Sequence, residues 1–126
     1  PPMQLADPDS SFIECEGLTV HYKVTGSPSD DTAVLLLHGF GGGVFSWRHV
    51  MGPLAQKCDC RVLALDRPAF GLTSRPPARR FTPGSNPYTI RAQARMAVRL
   101  CELLGIRRVL VVGHGDGALL ALLAAE

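Results

Sequence analysis

Residues 109–126, Val109-Leu-Val-Val-Gly-His-Gly-Asp-Gly-Ala-Leu-Leu-Ala-Leu-Leu-Ala-Ala-Glu126, decide the fold. An apolar strand leads into Gly113-His114-Gly115-Asp116-Gly117, and an apolar helix leads out. To reverse from strand to helix within one residue, the chain must hold its apex residue in a strained backbone conformation. The positions two before and two after the apex then lie against neighbouring backbone, where only small residues fit. Gly113 and Gly117 meet that demand. This is the layout G-x-nucleophile-x-G of a nucleophile elbow. The helix N-terminus aims its N–H groups and its dipole at the apex, which suits a developing negative charge. Gly115 stands at the nucleophile position and has no side chain to attack with.

The upstream sequence follows the same plan. Ala33-Val-Leu-Leu-Leu37 is apolar on both faces and ends in His38-Gly39-Phe40-Gly41-Gly42-Gly43, as a buried parallel strand bounded by glycines would. Those glycines let backbone N–H groups approach an anion closely. Val62-Leu-Ala-Leu65 forms a further strand, followed by Asp66-Arg-Pro-Ala-Phe-Gly-Leu-Thr-Ser74.

Taken in this order, the three motifs closely resemble the α/β-hydrolase family over roughly residues 11–126. They look most like its epoxide-hydrolase and haloalkane-dehalogenase branch and the related plant and bacterial esterases. The resemblance implies an oxyanion hole formed by the backbone N–H groups of Phe40 and Asp116. It implies Ser or Asp at position 115, from which Gly115 departs. It implies strand order 1-2-4-3-5, with the later strands, the acid and the histidine base lying beyond Glu126. The parent chemistry would be attack on an ester, thioester, epoxide or carbon–halide bond, with no metal and no cofactor. A chain without the nucleophile is expected to be inactive as it stands. A non-catalytic ligand-binding member of the fold is the competing expectation. A third reading takes Gly113-x-Gly115-x-x-Ala118 as a dinucleotide fingerprint. Against it, Asp116 would set negative charge beside a pyrophosphate, and His38-Gly39-Phe40 would be left unexplained.

Composition sets the outer limits. The 126 residues suit one domain or part of one, here the N-terminal portion of a single hydrolase domain. Thirteen Lys and Arg against eleven Asp and Glu leave a net charge of +2, too small to argue for nucleic acid or an anionic membrane. A small-molecule substrate or ligand is expected instead. The chain begins Pro1-Pro2, so a processed or trimmed product is expected, from which a targeting segment can have been lost. Cys15, Cys58, Cys60 and Cys101 have neither disulfide-framework nor zinc-site spacing and read as reduced thiols, which favours an intracellular location.

Periodicity and turn chemistry assign the remaining elements. Residues 1–10 read as a loose terminus. Phe12–Glu16 and Leu18–Val24 read as an antiparallel hairpin around Gly17. Ser46 is placed as the cap of a helix over Trp47–Lys57 with Trp47, Val50, Leu54 and Ala55 facing inward. Residues 75–87 hold too many prolines for regular structure. Thr89 caps a helix over Ile90–Leu104 with Ile90, Ala94, Ala97, Val98, Cys101 and Leu104 inward and Arg91, Arg95 and Arg99 outward; Gly105 ends it. Arg107–Val112 and Ala118–Ala125 complete a three-layer α/β/α sandwich with a mostly parallel sheet. Strand five would be an open edge, needing the remainder of the chain or another protein chain to cover it and the last helix.

Among the polar candidates, His38 and His114 are assigned structural roles, with His114 expected to be buried. His21 reads as a hairpin residue and His49 as a helix-surface residue. Asp66 reads as a turn residue, and Asp116 as a helix N-terminal carboxylate favoured by the dipole.

Overall fold

The computed structural model describes residues 2–126. Five strands form one sheet in the order β1-β2-β4-β3-β5: β1 (Ser11–Cys15), β2 (Leu18–Thr25), β3 (Thr32–Leu37), β4 (Arg61–Leu65) and β5 (Arg108–Gly113). β1 and β2 are the expected antiparallel hairpin, and β2 runs antiparallel to β4. β3 lies parallel to both β4 and β5, so its continuous apolar run is buried on both faces from Ala33 to Leu37.

Three helices cover the two faces: α1 (Met51–Cys58), α2 (Ile90–Leu103) and α3 (Gly117–Ala124). On one side Leu35, Leu37, Leu63 and Leu65 pack against Met96, Ala97, Leu100 and Cys101 of α2 and Leu120 of α3. On the other, Val34, Leu36, Val62 and Ala64 pack against Val44 and Met51, with Trp47, Leu54 and Ala55 alongside. Alternation along each central strand thus divides one apolar sequence between two cores.

Several elements differ from their sequence assignment. The chain after Gly43 first makes a 3₁₀ turn, Val44–Trp47, and α1 begins only at Met51. Ser46 does not cap α1; its hydroxyl accepts the Gly43 N–H at 3.2 Å inside the 3₁₀ turn. The shift of start rotates the stripe, burying Met51 and leaving Val50 exposed. The amino terminus is not loose over its described part. Lys23 Nζ reaches Asp7 at 2.7 Å and Asp9 at 2.9 Å, and Ser10 bonds to His21. Residues 75–87 contain only two short 3₁₀ turns, Ala78–Arg80 and Pro83–Ser85. Thr89 caps α2 by accepting the Ala92 N–H at 3.2 Å.

β5 forms the sheet edge and is largely uncovered. Leu110 is 64% exposed and Leu122 on α3 is 70% exposed, while Val98, Val109, Val112 and Leu119 are exposed beside them. Val98 therefore does not face a core, because the groove it borders, between α2, β5 and α3, is open. Among the described residues no helix is long and apolar enough to cross a membrane.

Candidate functional site at the strand ends

The loops leaving β3, β4 and β5 meet at the carboxyl edge of the sheet, where open α/β sheets place their ligands. The turn after β5 is set by backbone contact. A Cβ on Gly113 would overlap the Gly117 carbonyl, and one on Gly117 would overlap the Leu37 carbonyl and stand 2.7 Å from His38 O. A Cβ on Gly39 would come within 2.9 Å of His114 O. These contacts are too tight for any side chain, so the two crossing segments are locked by the smallness of their residues. The His114 N–H donates to Leu37 O at 3.0 Å and ties the turn to β3.

Gly115 has φ +62, the left-handed conformation in which a side chain carries strain. Room is not what limits it. A Cβ there would meet only Gly39 Cα, at 3.5 Å, an ordinary van der Waals distance. Flanking it, the N–H groups of Phe40 and Asp116 donate to no protein acceptor among the described residues. The Phe40 ring is 87% exposed and stands edge-on to Phe70, 5.8 Å between centroids.

The loop after β4 is set by polar side chains. Arg67 is 2% exposed. Its guanidinium donates to Gln93 Oε1 at 2.9 Å, to His38 O at 2.8 Å and to both Asp116 carboxylate oxygens at 2.8 and 3.1 Å. That bidentate pair holds the Asp116 carboxyl below the usual carboxylate range. Asp116 is therefore more than a dipole-favoured carboxylate, since it binds the β5 turn to the β4 loop. His38 Nε2 accepts the Arg67 N–H at 3.0 Å, which places the ring proton on Nδ1, 2.8 Å from Gly39 O. Burial lowers the His38 pKa, so the ring is a neutral strut of the loop.

Asp66 is 3% exposed. It accepts from His21 Nδ1 at 2.7 Å, Val44 N–H at 2.7 Å and Leu72 N–H at 2.8 Å. Burial pushes the Asp66 carboxyl up, but these donors outweigh burial and hold it below its ordinary value. Thr73 completes the clasp by donating to Asp66 O and accepting the His21 N–H at 3.0 Å. His21 lies in the β1–β2 hairpin and Asp66 in the loop after β4, as expected, and the two also form a buried pair. His114 is exposed, not buried, because its side is the uncovered side of β5, whereas His49 lies on the surface as expected.

Sequence reasoning missed Arg67, Gln93 and the His21–Asp66 pair. One signal was present: Asp66-Arg67 directly follows an all-buried strand, and charges there enter the interior with it. Among the described residues no three His, Cys, Asp or Glu side chains converge as metal ligands would. Cys15 and Cys101 are buried, and burial raises each thiol pKa to about 11, which leaves both inert.

A mixed five-stranded sheet with helices on both faces and a glycine-locked turn after its fifth strand defines an α/β-hydrolase-type core. Residues 32–126 match the family model for the alpha/beta hydrolase fold, and the chain belongs to that family. It is 33% identical over 123 residues to "Uncharacterized hydrolase YugF" of Bacillus subtilis, covering 98% of this chain and 41% of that protein. It is 38% identical over 113 residues to epoxide hydrolase 2 of Siraitia grosvenorii, covering 90% and 33%. The solved structure of epoxide hydrolase A from Mycobacterium thermoresistibile superposes with a TM-score of 0.77 at 28% identity, over 94% of this chain and 35% of that one. The chain thus spans about a third to two fifths of the length of these relatives. The family match includes the Gly113–Gly117 turn, which assigns that segment to a hydrolase core and not to a dinucleotide-binding unit.

Proposed function

We propose that this chain supplies the nucleophile-elbow half of an epoxide-hydrolase-like or esterase-like fold, and that its nucleophile position is Gly115. The observation that carries the reading is the left-handed Gly115, with free space for a side chain and two unengaged backbone donors, Phe40 N–H and Asp116 N–H, beside it. Two such donors are what an oxyanion needs. The parent reaction is hydrolysis of a small ester, thioester, epoxide or related bond. An elbow lacking Ser or Asp forms no covalent intermediate, so the elbow as it stands is inactive in that reaction. The uncovered β5 and α3 surface is the seat for the rest of the hydrolase chain or for another protein chain.

Gly115→Ser and Gly115→Asp, made in the complete polypeptide and assayed with p-nitrophenyl esters and small epoxides, test this. Turnover gained by either variant supports a missing nucleophile. No gain over the unmodified protein in either variant, combined with saturable ligand binding at the turn, favours the second reading, a non-catalytic binding member of the fold. The open space at position 115 supports that alternative, because it lets a ligand approach the two donors directly.

A further inference from the structure

A line of three hydrogen-bonded side chains lies apart from the Gly115 turn. Asp66 Oδ2 is 2.7 Å from His21 Nδ1, and His21 Nε2 is 2.7 Å from Ser10 Oγ. An ionised carboxylate can only accept, so the His21 ring proton sits on Nδ1. Nε2 is then free to accept the Ser10 hydroxyl proton. The Ser10 oxygen also accepts the Asp7 N–H at 3.2 Å, which fixes the hydroxyl with its hydrogen toward the ring. Hydroxyl to Nε2, and Nδ1 to a buried carboxylate, is the connectivity of an acyl-transfer triad. Such a triad is recognised by geometry and roles, whatever its order in the sequence.

The surroundings match those roles. His21 and Asp66 are 5% and 3% exposed, whereas Ser10 is half-buried and opens on a cleft of about 750 Å³. Gly41 and Arg48 also line that cleft. The Gly41 N–H has no acceptor, and the Arg48 guanidinium no carboxylate partner, among the described residues. Asp7 and Asp9 line it too, and against Lys23 and Arg48 they leave no net positive charge to draw an anionic substrate. Anchoring the β4 loop does not require Ser10, because Val44 N–H, Leu72 N–H and Thr73 already hold Asp66 in place.

We propose that Ser10 is the nucleophile of a second acyl-transfer site, with His21 as its base and Asp66 as the group that orients His21, acting on small neutral activated esters. Ser10 Oγ bonds to the acyl carbon as its proton passes to His21 Nε2, and the carbonyl oxygen takes the negative charge. Collapse breaks the ester C–O bond, the leaving oxygen takes the proton from Nε2, and acyl-Ser10 remains. Water, giving a proton to the same Nε2, then attacks the acyl carbon. The acid departs as Ser10 recovers its proton. No atom of the Gly115 turn takes part, so failure here leaves the reading of that turn untouched.

Treatment of the protein with a fluorophosphonate, followed by peptide mass spectrometry, tests the site, and Gly115 has no hydroxyl to confuse the result. The expected outcome is an adduct on Ser10, with hydrolysis of p-nitrophenyl acetate at least about tenfold slower in a folded Ser10→Ala variant. In Ser10→Cys, the introduced thiol beside Nε2 is expected to react with iodoacetamide at neutral pH about tenfold faster than the exposed Cys58. An unmodified Ser10 in the folded protein overturns the proposal, and so does an introduced thiol no faster than Cys58.

Discussion

The loops that follow β4 and β5 flank the end of β3 and are built on opposite plans. The β5 turn is held by what it lacks: Gly113, Gly117 and the facing Gly39 let backbone atoms touch where any Cβ would collide. The β4 loop is held by what it carries: Asp66 and Arg67, each almost fully buried, spend their hydrogen-bonding capacity on backbone and side chains of four other segments. One loop should therefore fail when atoms are added and the other when atoms are removed. The Arg67–Asp116 pair joins them, so neither can move far without the other.

The largest effect should come from adding a methyl group at the turn. Gly117→Ala drives Cβ into the Leu37 carbonyl, and the backbone there cannot yield without breaking the β3–β5 ladder. We expect a loss of about 3 kcal/mol or more, seen as the disappearance of a cooperative thermal transition by circular dichroism. A transition within a few degrees of the parent's would break the comparison. Removal should dominate in the other loop. Arg67→Met strands Gln93 Oε1 and His38 O without their donor, and should cost about 2–4 kcal/mol by urea denaturation. Asp116→Asn should cost less than about 1 kcal/mol, because the carboxylate is 41% exposed and retains water as a partner. Equal losses from the two variants would mean that the ion pair, and not Arg67's buried bonds, organises the loop.

Position 115 tests the turn without a collision. Gly115→Ser meets no close neighbour but keeps a left-handed φ, so only strain of about 1–2 kcal/mol is expected, a drop of several degrees in Tm. A raised Tm would mean that the turn relaxes once glycine is replaced. The smallest effect is expected from His38. Burial lowers its folded pKa, so its neutral form is favoured in the native state. Its contribution is complete above the ordinary imidazole pKa of about 6.5 and is lost as pH falls from there toward the lowered folded value. The urea midpoint should decline modestly between pH 7.5 and 5.5, with a shallower slope in His38→Gln. A midpoint that rises on acidification would contradict this.

The same contrast explains what the sequence made legible. A backbone that tolerates no Cβ leaves a record in one letter, and glycine at 113 and 117 marks the turn in the sequence itself. β3 and β4 were equally plain, because strands buried on both faces carry unbroken apolar runs, here Ala33–Leu37 and Val62–Leu65. A polar network leaves no such record. Arg67 meets Asp116 across 49 positions and Gln93 across 26, and His21 meets Asp66 across 45, so no local pattern pairs them. His21 is legible as a hairpin residue, but its bond to Asp66 is not, for that reason. The shift of α1 has a different cause: Ser46 has cap chemistry, but its hydroxyl serves the 3₁₀ turn before the helix. His114 and Val98 were expected inside because their residue types suit an interior, and the exposed flank of β5 leaves both facing solvent.

The division of the interior into two cores has a spectroscopic consequence. Trp47 is the sole tryptophan, and it packs only against the core on the α1 side of the sheet. Its indole nitrogen is buried without an acceptor among the described residues, so emission from the native chain should lie toward the blue. Fluorescence consequently watches one half of the molecule, while the α2 and α3 half, lacking an indole, stays dark. If that half melts first, the ellipticity will fall before the emission reddens, and the interval between the two curves will measure how independently the halves hold together.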